Sequence, residues 1–255
     1  MSAKGPGAAH SLRSRLDSGE RLVGALVRMP AEEIVEMLAA AGHDFVVVDC
    51  EHGSADLGAL RAHVTAAESF GIPVLVRTGA DDTPFVLRAL DLGVQGVIAP
   101  HVDSADDAVR LVRSVRYPPH GERGFAVYSR AGRYGTATAE DHRRRADDVL
   151  VIAMIESPAG VAATGEITAV PGVDGYLIGT GDLGASRAGG DPSLDDLVDR
   201  VHATAAAGSV RLDLAGSAEE ASAALTQGAD AVLHNLTLEM MRLFHELRVT
   251  PPATR

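Results

Sequence analysis

Short apolar runs alternate with amphipathic stretches along most of the chain, and a glycine usually stands between them. Runs rich in β-branched residues occur at 22–28 (LVGALVR), 45–51 (FVVVDCE), 72–78 (IPVLVRT), 96–102 (GVIAPHV), 150–157 (LVIAMIES), 175–180 (GYLIGT), 210–216 (VRLDLAG) and 231–237 (AVLHNLT). Each has the length and composition of a buried strand. The stretches between them, such as AEEIVEMLAAAG, TPFVLRALDLG, SADDAVRLVRSVR, SLDDLVDRVHATAAAG and SAEEASAALTQG, place apolar residues at helical spacing. Several open on Ser, Thr or Pro and close on Gly, as capped helices do. Eight strand–helix units in 255 residues predict an α/β fold, a single (β/α)₈ TIM barrel over 11–250, with 1–10 and 251–255 as tails. A doubly wound open sheet is the alternative. An extra leading helix at about 11–18 is expected to cover the barrel floor, and the longest departure from the rhythm is 117–148.

Bulk composition narrows the partners. A net charge of -12 leaves no basic field for nucleic acid or an anionic membrane, so a small molecule is the expected ligand. No apolar stretch approaches the roughly 18 residues that suggest a membrane span. A single cysteine, Cys50, excludes an internal disulfide, and MSAKGPGAAH lacks the apolar core of a signal peptide, so the expected location is the cytoplasm. With 4% aromatics and no Trp, the core is aliphatic.

Chemistry concentrates at the strand ends. In a barrel of this kind, polar residues at the C-terminal ends of several strands converge on one mouth. Strand two ends on Asp49, Glu51 and His52; strand three on Arg77; strand four on His101; strand five on Glu156; strand six leads to Asp182. Any one of these alone reads as a helix cap or a surface ion pair. Glu156 and Asp182 lie one unit apart, and two neighbouring carboxylates repel unless a cation lies between them. A hard divalent cation, with water or substrate oxygens in its other positions, fits that pair. No H-x-x-x-H or C-x-x-C pairing supports a softer metal. His52 can exchange protons near neutral pH, and Asp91 in RALDLG is a candidate partner for it. Arg77 offers a planar fork to a carboxylate or enolate, with an ion pair to Asp49 or Asp81 as the structural alternative. GTGDLG at 179–184 matches G-x-G-x-x-G, but it stands in the sixth unit with Asp182 inside it, which argues against a dinucleotide.

In this order, DCEHG, VLVRT, ALDLG, RYPPHGERG, SRAGRYG, IES and GTGDLGAS resemble the HpcH/HpaI family of metal-dependent (class II) 2-keto acid aldolases, of the 4-hydroxy-2-oxoheptanedioate aldolase type. The match runs from about 21 to 182 and continues more faintly beyond. The resemblance implies a phosphoenolpyruvate/pyruvate-type barrel, assembled as a hexamer with its last helix exchanged between neighbours. It places Mg²⁺, Mn²⁺ or Co²⁺ on Glu156 and Asp182, chelated by a 2-keto acid. His52 with Asp91 would act as base or acid through a metal-bound water, Arg77 would stabilise the enolate, and Glu51 would orient water. The reaction implied cleaves or forms a 4-hydroxy-2-keto acid, with an aldehyde as the other partner, through a metal-bound pyruvate enolate. An imine mechanism is excluded by inventory, because the chain's one lysine is Lys4.

The chain also departs from the family pattern. Met154 stands where a polar residue is usual, Thr180 and Gly181 alter the loop expected to meet the substrate carboxylate through backbone N–H groups beside Gly179, and His101 replaces an apolar residue. VLHNLT departs from the usual VGVDT. Two other readings share the barrel. One is a related decarboxylase or CoA-ester lyase, with Arg130, Arg133 or the run Arg143 to Arg145 as a phosphate site, although a solvated helix face also explains that run. The other is a keto-acid-binding barrel without turnover. The apolar positions of LTLEMMRLFHEL suit either an exchanged helix or an ordinary eighth barrel helix.

Overall fold

The structure, a computed structural model, describes residues 11–248. The expected tails at 1–10 and 251–255 lie outside the described residues. Within them the strands are β1 (Leu22–Val27), β2 (Phe45–Asp49), β3 (Val74–Arg77), β4 (Gly96–Ala99), β5 (Leu150–Ile155), β6 (Gly175–Ile178), β7 (Val210–Ala215) and β8 (Ala231–Asn235). Every strand pairs in parallel with the next, and β8 closes on β1 with Leu22 opposite Ala231. The expected (β/α)₈ barrel is the fold.

The helices are α1 (Leu12–Asp17), α2 (Glu32–Ala40), α3 (Leu57–Phe70), α4 (Thr83–Leu92), α5 (Ala105–Val115), α6 (Ala139–Asp147), α7 (Pro158–Thr168), α8 (Thr180–Ser186), α9 (Leu194–Thr204), α10 (Ala218–Thr226) and α11 (Leu236–Glu246). Their ends follow from local chemistry. The side chains of Asp56, Ser104, Ser157 and Ser217 accept backbone N–H groups in the first turns of α3, α5, α7 and α10, and Ser193 with Asp196 forms a reciprocal capping box on α9. Gly71 and Gly93 take the left-handed conformation that closes α3 and α4. None of the helices among the described residues is long and apolar enough to cross a membrane.

Period-two alternation along the strands separates two apolar layers. Leu22, Leu26, Phe45, Val47, Leu75, Ile98, Ile152, Met154, Leu177, Leu212 and Leu233 fill the barrel interior. Ala25, Val27, Val46, Val48, Val76, Val97, Val151 and Ile155 face outward and pack against the helices. The aliphatic composition suits this packing, because branched side chains fill a barrel of this diameter in layers. Leu12, only 2% exposed, belongs to the interior layer with Leu16 beside it, so α1 covers the floor as expected.

The strands are shorter than the apolar runs that encode them, and most of the difference is at the C-terminal ends. Glu51 leaves the β2 ladder because Asp49 draws the Glu51 and His52 N–H groups into a turn. His101 follows β4 with φ 54°, Thr180 opens α8, and Leu236 opens α11. The polar residues therefore stand just beyond the ladder, where the chain is free to turn into the mouth.

Truncating the floor plug, Leu12→Ala, should lower the unfolding free energy by about 2–5 kcal/mol. Urea denaturation should show this as a lower midpoint at unchanged slope, and an unchanged midpoint would mean that α1 does not seal the interior.

Candidate active site

The same alternation that fills the barrel carries one further residue of six of the strands to the inner face of its C-terminal mouth. Arg28 follows Leu26, Asp49 follows Val47, Arg77 follows Leu75, Glu156 follows Met154, Gly179 follows Leu177 and Asn235 follows Leu233. This layer falls into two halves of different charge.

The first half is built on Asp49, whose side chain has no exposure. Arg77 donates to both of its oxygens, with Nε 2.9 Å from Oδ1 and Nη2 in a close bond to Oδ2. Arg28 adds a bond from Nε to Oδ2 at 3.0 Å, and the backbone N–H groups of Glu51 and His52 each lie 3.2 Å from Oδ1. Burial by itself would raise the Asp49 carboxyl, but the Arg77 hydrogen bonds and charge, the His52 N–H and the Arg28 charge outweigh it and hold the group below its ordinary value. Arg28 also donates from Nη1 to Asn235 Oδ1 at 2.8 Å, so Asn235, Arg28, Asp49 and Arg77 form a continuous arc from β8 through β1 and β2 to β3. Arg77 Nη1 lies 3.3 Å from Glu51 Oε2. Gly53 completes the turn: a Cβ there would stand 2.0 Å from the Asp49 carbonyl oxygen, so only glycine lets the chain fold back over β2.

The second half is acidic. Glu156, 2% exposed, accepts the His101 N–H at 2.6 Å on Oε1, and the His101 Nδ1 lies 3.2 Å from the same oxygen. The left-handed backbone of His101 aims that N–H at the carboxylate, while its imidazole stays about half exposed. Gly179 makes room for Glu156, since a Cβ at Gly179 would stand 2.4 Å from Oε2. Burial raises the Glu156 carboxyl above its ordinary value; the His101 N–H and charge oppose the rise, and the charges of Glu51 and Asp182 add to it. Asp182 occupies the first turn of α8, exposed with Thr180 and Gly181, and Met154 lies one layer below, 3% exposed.

This donor set fits a hard divalent cation. Asp182 and Glu51 both act on Glu156 as like charges, and the buried Glu51 Oε2, although it lies near Arg77, has no hydrogen-bond partner among the described residues. A cation among these oxygens would relieve both costs. Among the described residues, no three His, Cys, Asp or Glu side chains cluster at ligand spacing, so protein donors to an ion are few.

The remaining candidates are distributed unevenly. His52 stands at the rim with its side chain 60% exposed, and its one carboxylate neighbour among the described residues is Glu51 at 3.9 Å. The expected pairing of His52 with Asp91 does not form within the chain: Asp91, late in α4, takes a bond from Arg123 Nη2 at 3.1 Å, and its carbonyl accepts the Ala131 N–H. Four of the five arginines suggested for a phosphate, Arg130 and Arg143 to Arg145, are engaged by the chain itself. Arg130 holds Glu68, Arg144 holds Asp141, and Arg143 lies over the Phe125 ring at 4.4 Å. GTGDLG does open a helix, but Asp182 places a carboxylate where a pyrophosphate would sit. Burial, with Asp49 and Asp56 nearby, pushes the Cys50 thiol up to about 12, which keeps it neutral and removes it as a nucleophile. Sequence reasoning did not assign a role to Arg28 or Asn235. The signal was available, because each continues the inward alternation of an apolar strand by one step.

The geometry also has counterparts among known proteins. Residues 26–242 match the family model described as HpcH/HpaI aldolase/citrate lyase. The chain is 33% identical over 241 residues to a hydroxypyruvate/pyruvate aldolase of Delftia acidovorans, covering 92% of this chain and 89% of that protein. It is 38% identical over 161 residues, 63% of each chain, to a 2-dehydro-3,6-dideoxy-6-sulfogluconate aldolase of Pseudomonas putida. A solved HpcH/HpaI aldolase/citrate lyase family protein from Burkholderia cenocepacia superposes with a TM-score of 0.84 at 30% identity, covering 92% of this chain and 96% of that one. The family match spans the strands that supply Asp49, Arg77, Glu156 and Asp182 together with the barrel that holds them, and on that ground this chain belongs to the HpcH/HpaI aldolase/citrate lyase family.

Proposed function

We propose that this protein is a pyruvate-type class II aldolase, a carbon–carbon lyase that cleaves or forms 4-hydroxy-2-keto acids. The 4-hydroxy-2-oxoheptanedioate type is the nearest reading of its motif series. The observation that carries the proposal is the barrel mouth itself, where a buried carboxylate held above its ordinary pKa faces a guanidinium locked in place by another buried carboxylate. Family membership and aldolase relatives support the same reading.

Glu156 and Asp182 would hold the divalent cation, Mg²⁺, Mn²⁺ or Co²⁺. When bound, such an ion supplies Lewis-acid polarisation of a 2-keto acid. The rest of the chemistry belongs to the chain. Arg77, fixed by Asp49, donates to the keto oxygen as it gains negative charge, without reorganising in the transition state. His52 takes the proton of the 4-hydroxyl group; the C3–C4 bond breaks, the aldehyde leaves, and the pyruvate enolate is protonated at its methylene carbon. Aldol addition runs these steps in reverse. Glu51, between Arg77 and His52, orients water. Backbone N–H groups of the 179–181 loop meet the substrate carboxylate, and His101 keeps Glu156 in place. Asp91, engaged by Arg123, takes no proton in this reading.

Residues of α11 support a homo-oligomer, a hexamer by resemblance. The helix buries none of its residues, and Leu238, Met241, Leu243 and Phe244 are about half exposed.

In D₂O the protein with Mg²⁺ or Mn²⁺ should exchange the pyruvate methyl protons, seen as loss of the methyl signal in proton NMR. Chelator or Glu156→Gln should abolish the exchange, and full exchange by metal-stripped protein would end the metal assignment. His52→Ala should lower aldol turnover about 10²–10⁴-fold while metal titration is unchanged. If metal binding were lost as well, His52 would be a ligand and not the base.

A further inference from the structure

Glu156 divides its two oxygens between the elements on either side of it. Oε2 lies against Gly179, at the turn that opens α8 and carries Asp182. Oε1 belongs to the loop after β4: the His101 N–H donates to it at 2.6 Å, and the ring Nδ1 stands 3.2 Å away without a hydrogen bond to it. The reaction above uses only the backbone of His101 and leaves its imidazole, about half exposed, without a task. The placement of that ring is nevertheless fixed, because the two residues after it are clamped to neighbouring elements. The Val102 N–H donates to the Met154 carbonyl of β5 at 3.2 Å, and Asp103 accepts the Ser157 hydroxyl ahead of α7 at 2.5 Å. Ahead of these anchors His101 keeps φ at 54°, a left-handed conformation that a residue with a side chain holds only where its surroundings impose it.

The spacing of Nδ1 and Oε1 is that of two ligands on one ion. Bonds of about 2.1 Å from a divalent ion to an imidazole nitrogen or a carboxylate oxygen put neighbouring ligands about 3.0 Å apart at a right angle and about 3.4 Å apart at the tetrahedral angle. The observed 3.2 Å falls between these. Charge favours the same partner. Glu51 and Asp182 already act on Glu156 as like charges, so a further carboxylate would add repulsion, whereas a neutral imidazole adds a donor and no charge. Among the described residues Asp182 does not join the pair at ligand spacing, so His101 and Glu156 are the two donors already in register.

We propose that His101 is a ligand of the divalent cation through Nδ1, sharing it with Glu156 and Asp182. A nitrogen donor favours the later divalent transition metals over Mg²⁺, so the site takes Co²⁺ or Ni²⁺ more tightly than an all-oxygen set would. The inference rests on the metal assignment of the aldolase reading and adds to it a third donor and the class of ion.

The test reads the metal and not turnover. With one equivalent of Mn²⁺ on the full chain, pulsed electron paramagnetic resonance should show the spin-echo modulation of a bound ¹⁴N, and labelling the histidines with ¹⁵N should replace it by the ¹⁵N pattern. His101→Asn, which tolerates the left-handed backbone, should lose the modulation while Mn²⁺ still binds. The same variant should reduce the ratio of Ni²⁺ to Mg²⁺ affinity at least about tenfold in competition titrations. Bound Mn²⁺ without nitrogen modulation in the wild type overturns the proposal, and that arm needs no variant to fold. So does a modulation that persists in His101→Asn, which would assign the nitrogen to another histidine such as His52. Glu156→Gln separates the two levels. Mn²⁺ binding that depends on Glu156 but shows no nitrogen removes this inference alone, whereas Mn²⁺ binding indifferent to Glu156 removes the metal assignment and the inference with it.

Discussion

The mouth of the barrel depends on a single buried carboxylate. Asp49 sits with no solvent exposure and accepts from five donors: two on Arg77, one on Arg28 and two backbone N–H groups. Burying a charge is expensive, and the arrangement holds only because nearly all of the lone-pair capacity is used. Each donor is in turn constrained. The arginine fork is aimed, the chain after β2 is drawn into a tight turn that carries Glu51 and His52, and through Asn235 the constraint reaches the start of α11. Removing one partner from such a cluster typically costs about 3–5 kcal/mol, so the polar layer is a structural element of the barrel as well as a reactive surface.

Charge is divided across this layer. The β1–β3 side is saturated, with an excess of cationic donors. On the β5–β6 side carboxylates face one another with little to offset them, and burial together with Glu51 and Asp182 raises Glu156. The shapes of the two sides follow from small residues at single points. Glycine at 53 permits the turn against the Asp49 carbonyl, and glycine at 179 leaves space for the Glu156 side chain. The fold positions chemistry of both signs because consecutive strands all deliver their next inward residue to the same end.

How much of this was legible in the chain depends on the distance over which a signal acts. The strands were legible, since each is a short β-branched run bounded by turn residues, although GYLIGT and AVLHNLT overshoot because the chain passes directly into α8 and α11. The convergence of Glu156, Asp182, Arg77 and the DCEHG turn on one mouth was legible from strand-end position alone. Pairings between distant segments were not. The alternation places Arg28 but does not reveal that it shares Asp49 with Arg77, and Asp91 reads as a partner for His52 until Arg123 folds back from the 117–148 excursion to claim it. That excursion packs onto α4 through Arg123 and Ala131, contacts that leave no periodic trace.

Leu12 and Leu16 close the barrel at the end opposite the reactive layer, so whatever enters must leave by the same opening. Glu156 and Arg77 lie deep in that opening, while the His52 side chain stands well exposed at its rim. A molecule held by the deep pair is therefore trapped beneath one that sits at the rim. On the aldolase reading proposed above, this layout would have the outer fragment depart before the inner one in cleavage, and the inner substrate in place before the outer one in synthesis.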